Sequence, residues 1–185
     1  MNKIKVLEKG HELEYSFDNL LNYHGVGYPG GVAHAFQVMS RAFPLLDDGK
    51  LLERREIYLI TAFPGPGGLD AFEMVTRCVT DGRISVDINL KEAEEVLESP
   101  HGRYYFKFKY RDKTVVITIK PGFVLKEFVE LARKEDRSEE EETTLIQMKK
   151  DMAARLLAAK PEEVYNAKVL KKKKRRVLIC TLFTG

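Results

Sequence analysis

Two stretches of this chain carry residue types that could do chemistry, each where glycines lead into an apolar periodic segment. The first, NYHGVGYPGGVAHAF at 22–36, holds His24 and Tyr28 and passes through Pro29-Gly30-Gly31. The second, GPGGLDAFEMVTRCV at 65–79, holds Gly67, Asp70 and Cys78. Amides at a helix start have no intrahelical acceptor and favour anions, and glycine lets a ligand approach the backbone. The second stretch follows a strand-like segment, as nucleotide loops do. It is neither G-x-G-x-x-G nor a P-loop, however, and plain turn chemistry accounts for the same glycines.

The individual side chains carry two meanings each. His24 ends an apolar helical stripe, where a histidine either bonds to backbone as a cap or core residue or serves as a ligand. His34 falls off the main stripe of its helix and reads as a surface residue. His11 and His101 stand in polar turns with no assigned role. Asp70 in a first helical turn is either a site carboxylate or a complement to the helix dipole. Cys78 on an apolar helix is a small hydrophobe unless a second ligand converges on it. No C-x-x-C or H-x-x-x-H occurs, so local spacing supplies no zinc site and any metal must be held across elements.

The elements that position these residues follow from periodicity. Leu13, Phe17, Leu20, Leu21 and His24 share a helical face that Gly25 ends. Val32, Phe36, Met39 and Phe43 mark a second helix ended by Pro44. Ile57 to Ala62 is apolar on both faces and reads as an interior strand, and LDAFEMVTRCV reads as a buried helix. Ile84, Val86, Ile88 and Leu90 alternate as a strand. RYYFKFKY and TVVITIK flank RDK as a hairpin. Val124, Phe128 and Leu131 mark a further helix. Ser138 and Glu141 form a capping box before a long amphipathic one. The order is helix, helix, strand, helix, three strands, two helices and a tail. With no regular βαβ repeat, it predicts an α+β fold with helices packed on one face of a mixed β-sheet.

Composition sets the outer limits. The chain has 185 residues, 44% of them apolar, with 31 basic against 28 acidic side chains. That length suits one domain, and the near-balance of charge argues against a nucleic-acid binder over the whole surface. The basic excess sits in KKKKRR, Lys171 to Arg176, which is either a solvated tail or a patch for an acidic partner. Two cysteines, Cys78 and Cys180, imply no disulfide framework. No apolar run reaches signal-peptide or membrane-span length, so a soluble cytoplasmic protein is expected.

Together, YHGVGYPGG, LDAFEMVTRCV, the hairpin and AAKPEEVYNAK resemble the E-subunit-like family of formylmethanofuran dehydrogenase. That family's first motif reads aromatic-H-G-H-x-C-P-G and its second D-A-x-Q-x-x-T-G-C-T. Tyr23, His24, Gly25, Pro29 and Gly30 match the first; Asp70, Ala71 and Cys78 match the second, with Glu73 at the glutamine position. The resemblance covers about residues 11 to 168. It implies an α+β core at 1–168, a basic extension at 169–185, a homodimer, and a cleft where the two motifs meet. Val26 and Tyr28 replace the second histidine and the motif cysteine, and only Cys180 remains of a C-terminal zinc finger. The implied metal ligands are therefore His24 and Cys78, possible zinc donors, and the implied ligand-binding set is His24, Tyr28, Gly30, Gly67 and Asp70. The expected function is an accessory or ligand-binding protein whose pocket lies at the two glycine-rich helix starts. The alternative is an enzyme of one-carbon or pterin-type cofactor metabolism with His24 as acid/base.

Overall fold

In the computed structural model, which describes residues 3–171, the chain begins as a hairpin rather than as the expected helix. β1 (Ile4–Glu8) pairs antiparallel with β2 (His11–Tyr15), from Ile4 opposite Tyr15 to Glu8 opposite His11. Lys9 and Gly10 form the two-residue loop, both at positive φ (50° and 81°), as the twist of a tight hairpin requires. Leu13, the first residue of the expected helical stripe, belongs to this hairpin. Helix α1 (Phe17–His24) starts only after Ser16, whose hydroxyl accepts from the Asn19 amide while Asn19 Oδ1 accepts from the Ser16 amide. Gly25 stops it at φ +90°, a conformation L side chains rarely adopt.

α2 (Pro29–Leu46) is the central helix. Val32, Phe36, Met39 and Phe43 are buried as expected, but so are Ala33, His34, Ala35, Gln37 and Val38. A helix covered on nearly every side sits between other elements instead of on a surface. α1, α3 (Pro66–Thr76) and α5 (Glu139–Ala158) pack around it, and the sheet closes the remaining side. Pro44 does not end α2. It sits in the last turn, where its missing amide costs one hydrogen bond, and the helix runs on to Leu46.

The fold is α+β with two mixed sheets. β1 joins β2 and, in parallel, the short β3 (Leu52–Glu53). The larger sheet has the order β5–β4–β6–β7–β8, built from β4 (Ile57–Thr61), β5 (Ile84–Val86), β6 (Tyr105–Tyr110), β7 (Lys113–Ile119) and β8 (Tyr165–Lys171). β4 and β5 run parallel and the other pairs antiparallel. β4 is interior, as its composition predicts. Its neighbours put Leu59 opposite Phe108 and Thr61 opposite Phe106, while Phe106 and Phe108 face Ile117 and Val115. This inward face meets α2. On the other face Tyr58 and Lys109 are exposed, and Leu90, Ala93 and Val96 pack over Tyr105 at one end.

The expected hairpin is β6–β7, and the expected boundary at 168/169 falls inside β8, where Val169 pairs with Val115. The alternating strand at 84–90 is shorter than its pattern: β5 ends at Val86, and Ile88 is exposed. Ser138 and Glu141 cap α5 reciprocally, after the short α4 (Lys126–Arg133); α6 (Pro161–Val164) leads into β8. Lys171 closes β8; the rest of the basic run, the strand-like 177–183 and Cys180 lie outside the described residues. Among the described residues no helix is long and apolar enough to cross a membrane.

Candidate functional site

The two glycine-rich starts do come together. A Cβ on Gly31 would lie 3.2 Å from the Gly68 amide nitrogen, and one on Gly67 would lie 2.6 Å from the Tyr28 carbonyl oxygen. Such crowding means the N-termini of α2 and α3 are backbone against backbone, a spacing that only glycine permits. The far end of α3 is tied down: Arg54 Nη2 donates to the Met74 carbonyl at 2.6 Å and Arg83 Nη2 to the Thr76 carbonyl at 2.7 Å. The near end has no side-chain cap, and neither has α2. The amides of Gly30, Gly31 and Gly67 thus fall in first turns without an intrahelical acceptor.

Beside this junction lies a cavity of about 180 Å³. Tyr28, Gly30, Gly31, Gly65 and Gly67 form one side, and Phe63, Tyr104, Phe128, Leu145 and Met152 form apolar walls. At its rim stand Lys149, Arg137 and His101, and no Asp or Glu lines it. The Lys149 ammonium sits 4.3 Å from the centre of the Tyr28 ring. Burial lowers the Lys149 pKa from the usual lysine range, opposed by the nearby Glu142 carboxylate and aided by Arg137. Arg137 is held by Glu142 at 2.6 Å. Helix starts, two cations and an apolar body suit a ligand that is negative at one end and greasy over the rest.

His34 is among the residues that line the cavity and overturns the expectation of a surface residue. It is fully buried, its Nδ1 is 2.6 Å from the Tyr165 hydroxyl, and its Nε2 has no partner among the described residues. Burial pushes the imidazole down to about 3, so it is neutral at physiological pH. The Tyr104 ring lies tilted against it at 4.5 Å, and Phe63 stacks on Tyr104 at 5.1 Å. An unpaired buried polar group costs about 1–3 kcal/mol, so a ligand that met Nε2 would recover that cost. Gly30 is four residues before His34 and so on the same helical face, but the space its missing side chain leaves is filled by the Met152 methyl, so no local signal marked His34. The one-sided stripe hid it, because it assumed that α2 has an exposed side. His101, also given no role, stands at the rim.

Tyr28, Gly30 and Gly67 line the cavity, whereas His24 and Asp70 stand beside it and bond to each other. His24 Nδ1 lies 2.7 Å from Asp70 Oδ2, joining the end of α1 to the second turn of α3; Asp70 is the fifth residue of that helix and not in its first turn as expected. The carboxylate accepts, which makes Nδ1 the donor and leaves Nε2 buried and, among the described residues, without a partner. The His24 and Tyr28 rings are 5.7 Å apart.

Cys78 is elsewhere. α3 ends at Thr76, Arg77 turns left-handed at φ 56°, and Cys78 follows in the core with its amide on Thr76 Oγ1. About 9 Å of helical rise separates Asp70 from Thr76, so the thiol lies at the opposite end of α3 from His24. Burial raises the thiol pKa. Among the described residues no three His, Cys, Asp or Glu side chains could hold a metal ion. The donors do not fit the zinc site that His24 and Cys78 were expected to supply. Glu73 is structural: burial opposes its ionisation, yet the Thr80 hydroxyl, the Thr80 and Val79 amides and Arg77 hold its carboxyl below the usual range.

No protein-family model matches this chain, and no curated protein matches it significantly.

Proposed function

We propose that this protein is a ligand-binding or accessory protein whose pocket, at the two glycine-rich helix starts, takes a small organic anion with an apolar body. The observation that carries this reading is the cavity of about 180 Å³ between two uncapped helix starts, with Lys149 and Arg137 at its rim and no carboxylate in its lining. A cation would meet Lys149 and Arg137 and, among the described lining residues, no carboxylate, Glu142 being already engaged by Arg137, and an uncharged apolar molecule would leave the helix starts unused. Thermal-shift screening of small carboxylates and phosphates against amines of the same size tests it. Carboxylates or phosphates should stabilise the protein, by about 2.7 kcal/mol at 100 times their dissociation constant, and Lys149→Ala should reduce the effect. Amines acting as well as the anions would defeat it.

The His24–Asp70 pair favours a second reading, an enzyme of one-carbon or pterin-type metabolism. Asp70 fixes the imidazole and leaves Nε2 as the proton-accepting nitrogen beside Tyr28, which is the arrangement of an oriented general base. In that case His24→Gln should abolish turnover of a bound substrate while leaving its affinity within about threefold. The homodimer implied by the family resemblance is tested separately, by analytical ultracentrifugation.

A further inference from the structure

The cavity has a polar group that none of the motif residues supplies. His34 lies in the second turn of α2, fully buried, with one ring nitrogen engaged and the other without a partner among the described residues. The engaged nitrogen, Nδ1, turns to the Tyr165 hydroxyl at 2.6 Å, and Tyr165 is not part of the cavity lining. The free nitrogen lies on the opposite ring edge, while Tyr104 and Phe63, both cavity walls, pack at 4.5 Å and 5.9 Å.

Counting protons decides the tautomer. Among the described residues His34 is the hydrogen-bond partner that the Tyr165 hydroxyl has. If the phenol donates to Nδ1, both atoms of that contact are satisfied and a single group, Nε2–H, is left over. If Nδ1–H donates to the phenol oxygen, the phenol proton and the Nε2 lone pair are both left without partners in a buried place. The first arrangement strands one group and the second two, so the first is favoured. It makes His34 a fixed, uncharged donor, alongside the helix-start amides and the Lys149 and Arg137 cations.

The shape of the wall adds a second constraint. The His34, Tyr104 and Phe63 rings touch one another at 4.5, 5.1 and 5.9 Å, as a triangle, and with Tyr28 and Phe128 they give the cavity largely aromatic walls. A flat aromatic ring packs against such walls, face or edge, better than a puckered one. The volume of about 180 Å³ exceeds the ~150 Å³ apolar cavity that holds benzene.

We propose that the ligand is a planar, one-ring organic carboxylate, or an anion of the same size and shape, and that one of its oxygens accepts the Nε2–H of His34, which Tyr165 holds in that tautomer. The inference rests on the pocket reading given above and specifies its ligand. His34 is a specificity-determining residue in it, and Tyr165 is a positioning residue.

The probes are benzoate, cyclohexanecarboxylate and benzylamine, titrated calorimetrically into the full chain, with long-range proton–nitrogen NMR of the labelled imidazoles. Wild-type protein should show His34 as the Nε2–H tautomer, and saturating benzoate should move that resonance. Benzoate should bind at least fivefold tighter than cyclohexanecarboxylate, and benzylamine should not bind. His34→Leu should weaken benzoate tenfold or more, and His34→Gln, which keeps a donor, should stay within about threefold. Tyr165→Phe should mix the His34 tautomers. An Nδ1–H tautomer in the wild type overturns the inference even if His34→Leu fails to fold. So does benzoate binding that Lys149→Gln weakens and folded His34→Leu does not, and the pocket reading then survives. Failure of both carboxylates to bind wild-type protein overturns the inference together with the pocket reading.

Discussion

Gly67, at the start of α3, lies directly against the carbonyl of Tyr28, the residue that opens α2, so close that a methyl group on it would stand 2.6 Å from that oxygen. This contact brings two uncapped helix starts to one cavity. Gly67→Ala must push backbone from backbone, since neither partner is the end of a flexible side chain. It should cost about 1–3 kcal/mol in chemical denaturation and weaken any ligand of the cavity. A variant as stable as wild type would show that the two starts are not tightly packed.

The buried imidazole makes stability depend on pH. His34 titrates near 6.5 when exposed and at about 3 in the folded protein. Between those values the unfolded chain binds a proton that the folded chain does not, so stability is complete above pH about 6.5 and falls as pH drops toward 3. The contribution is up to about 1.4 kcal/mol per pH unit. Subtracting the urea-denaturation profile of His34→Gln from that of wild type isolates it, and parallel profiles would contradict it.

Cys78 should be chemically silent. Its thiol is buried and its pKa is raised by that burial, so little thiolate forms. In a Cys180→Ser background, a thiol reagent should label native protein at least a hundredfold more slowly than urea-unfolded protein. Purified protein should contain far less than one zinc per chain, and Cys78→Ala should not change the content. Stoichiometric zinc lost on Cys78→Ala would reinstate the metal site.

Glu73 gathers the end of α3 by accepting from the Val79 and Thr80 amides. Glu73→Ala leaves these donors without the carboxylate and should cost about 1–3 kcal/mol. Arg77 also loses its partner at 3.2 Å. The loss should appear as faster amide exchange at Val79 and Thr80, and unchanged exchange there would show that the carboxylate is dispensable.

The pairing of His24 with Asp70 joins a buried imidazole to a carboxylate that is 48% exposed. Asp70→Asn should therefore cost less than about 1 kcal/mol in stability. If the acid/base reading holds, the same variant should lower turnover at least tenfold through loss of imidazole orientation, so stability and activity separate.

Local signals were the most readable. Ser138 and Glu141 announce the start of α5 three residues apart, and RDK between alternating runs announces β6–β7, because capping and turn chemistry are settled within a few residues. The same kind of signal, Lys9-Gly10 between IKVLE and HELEY, marks the N-terminal hairpin, but Leu13 also fits a helical stripe with Phe17 and Leu20. Period alone cannot separate the two over so short a run. Gly30 and Gly67, which line the cavity, stood out because helix-start glycines expose amides wherever they occur, whereas Tyr28 stood out only as the residue at the motif-cysteine position of the family the chain resembles.

By itself the sequence determined the α+β class, the positions of most helices and strands, and the two glycine-rich starts, all of which depend on neighbours along the chain. Tertiary structure alone decided that His24 meets Asp70 and not Cys78, and that His34 lies buried with its nitrogen at Tyr165, 131 positions away. Such contacts depend on which elements pack together, and a helix reveals which of its faces are covered only when its neighbours are in place.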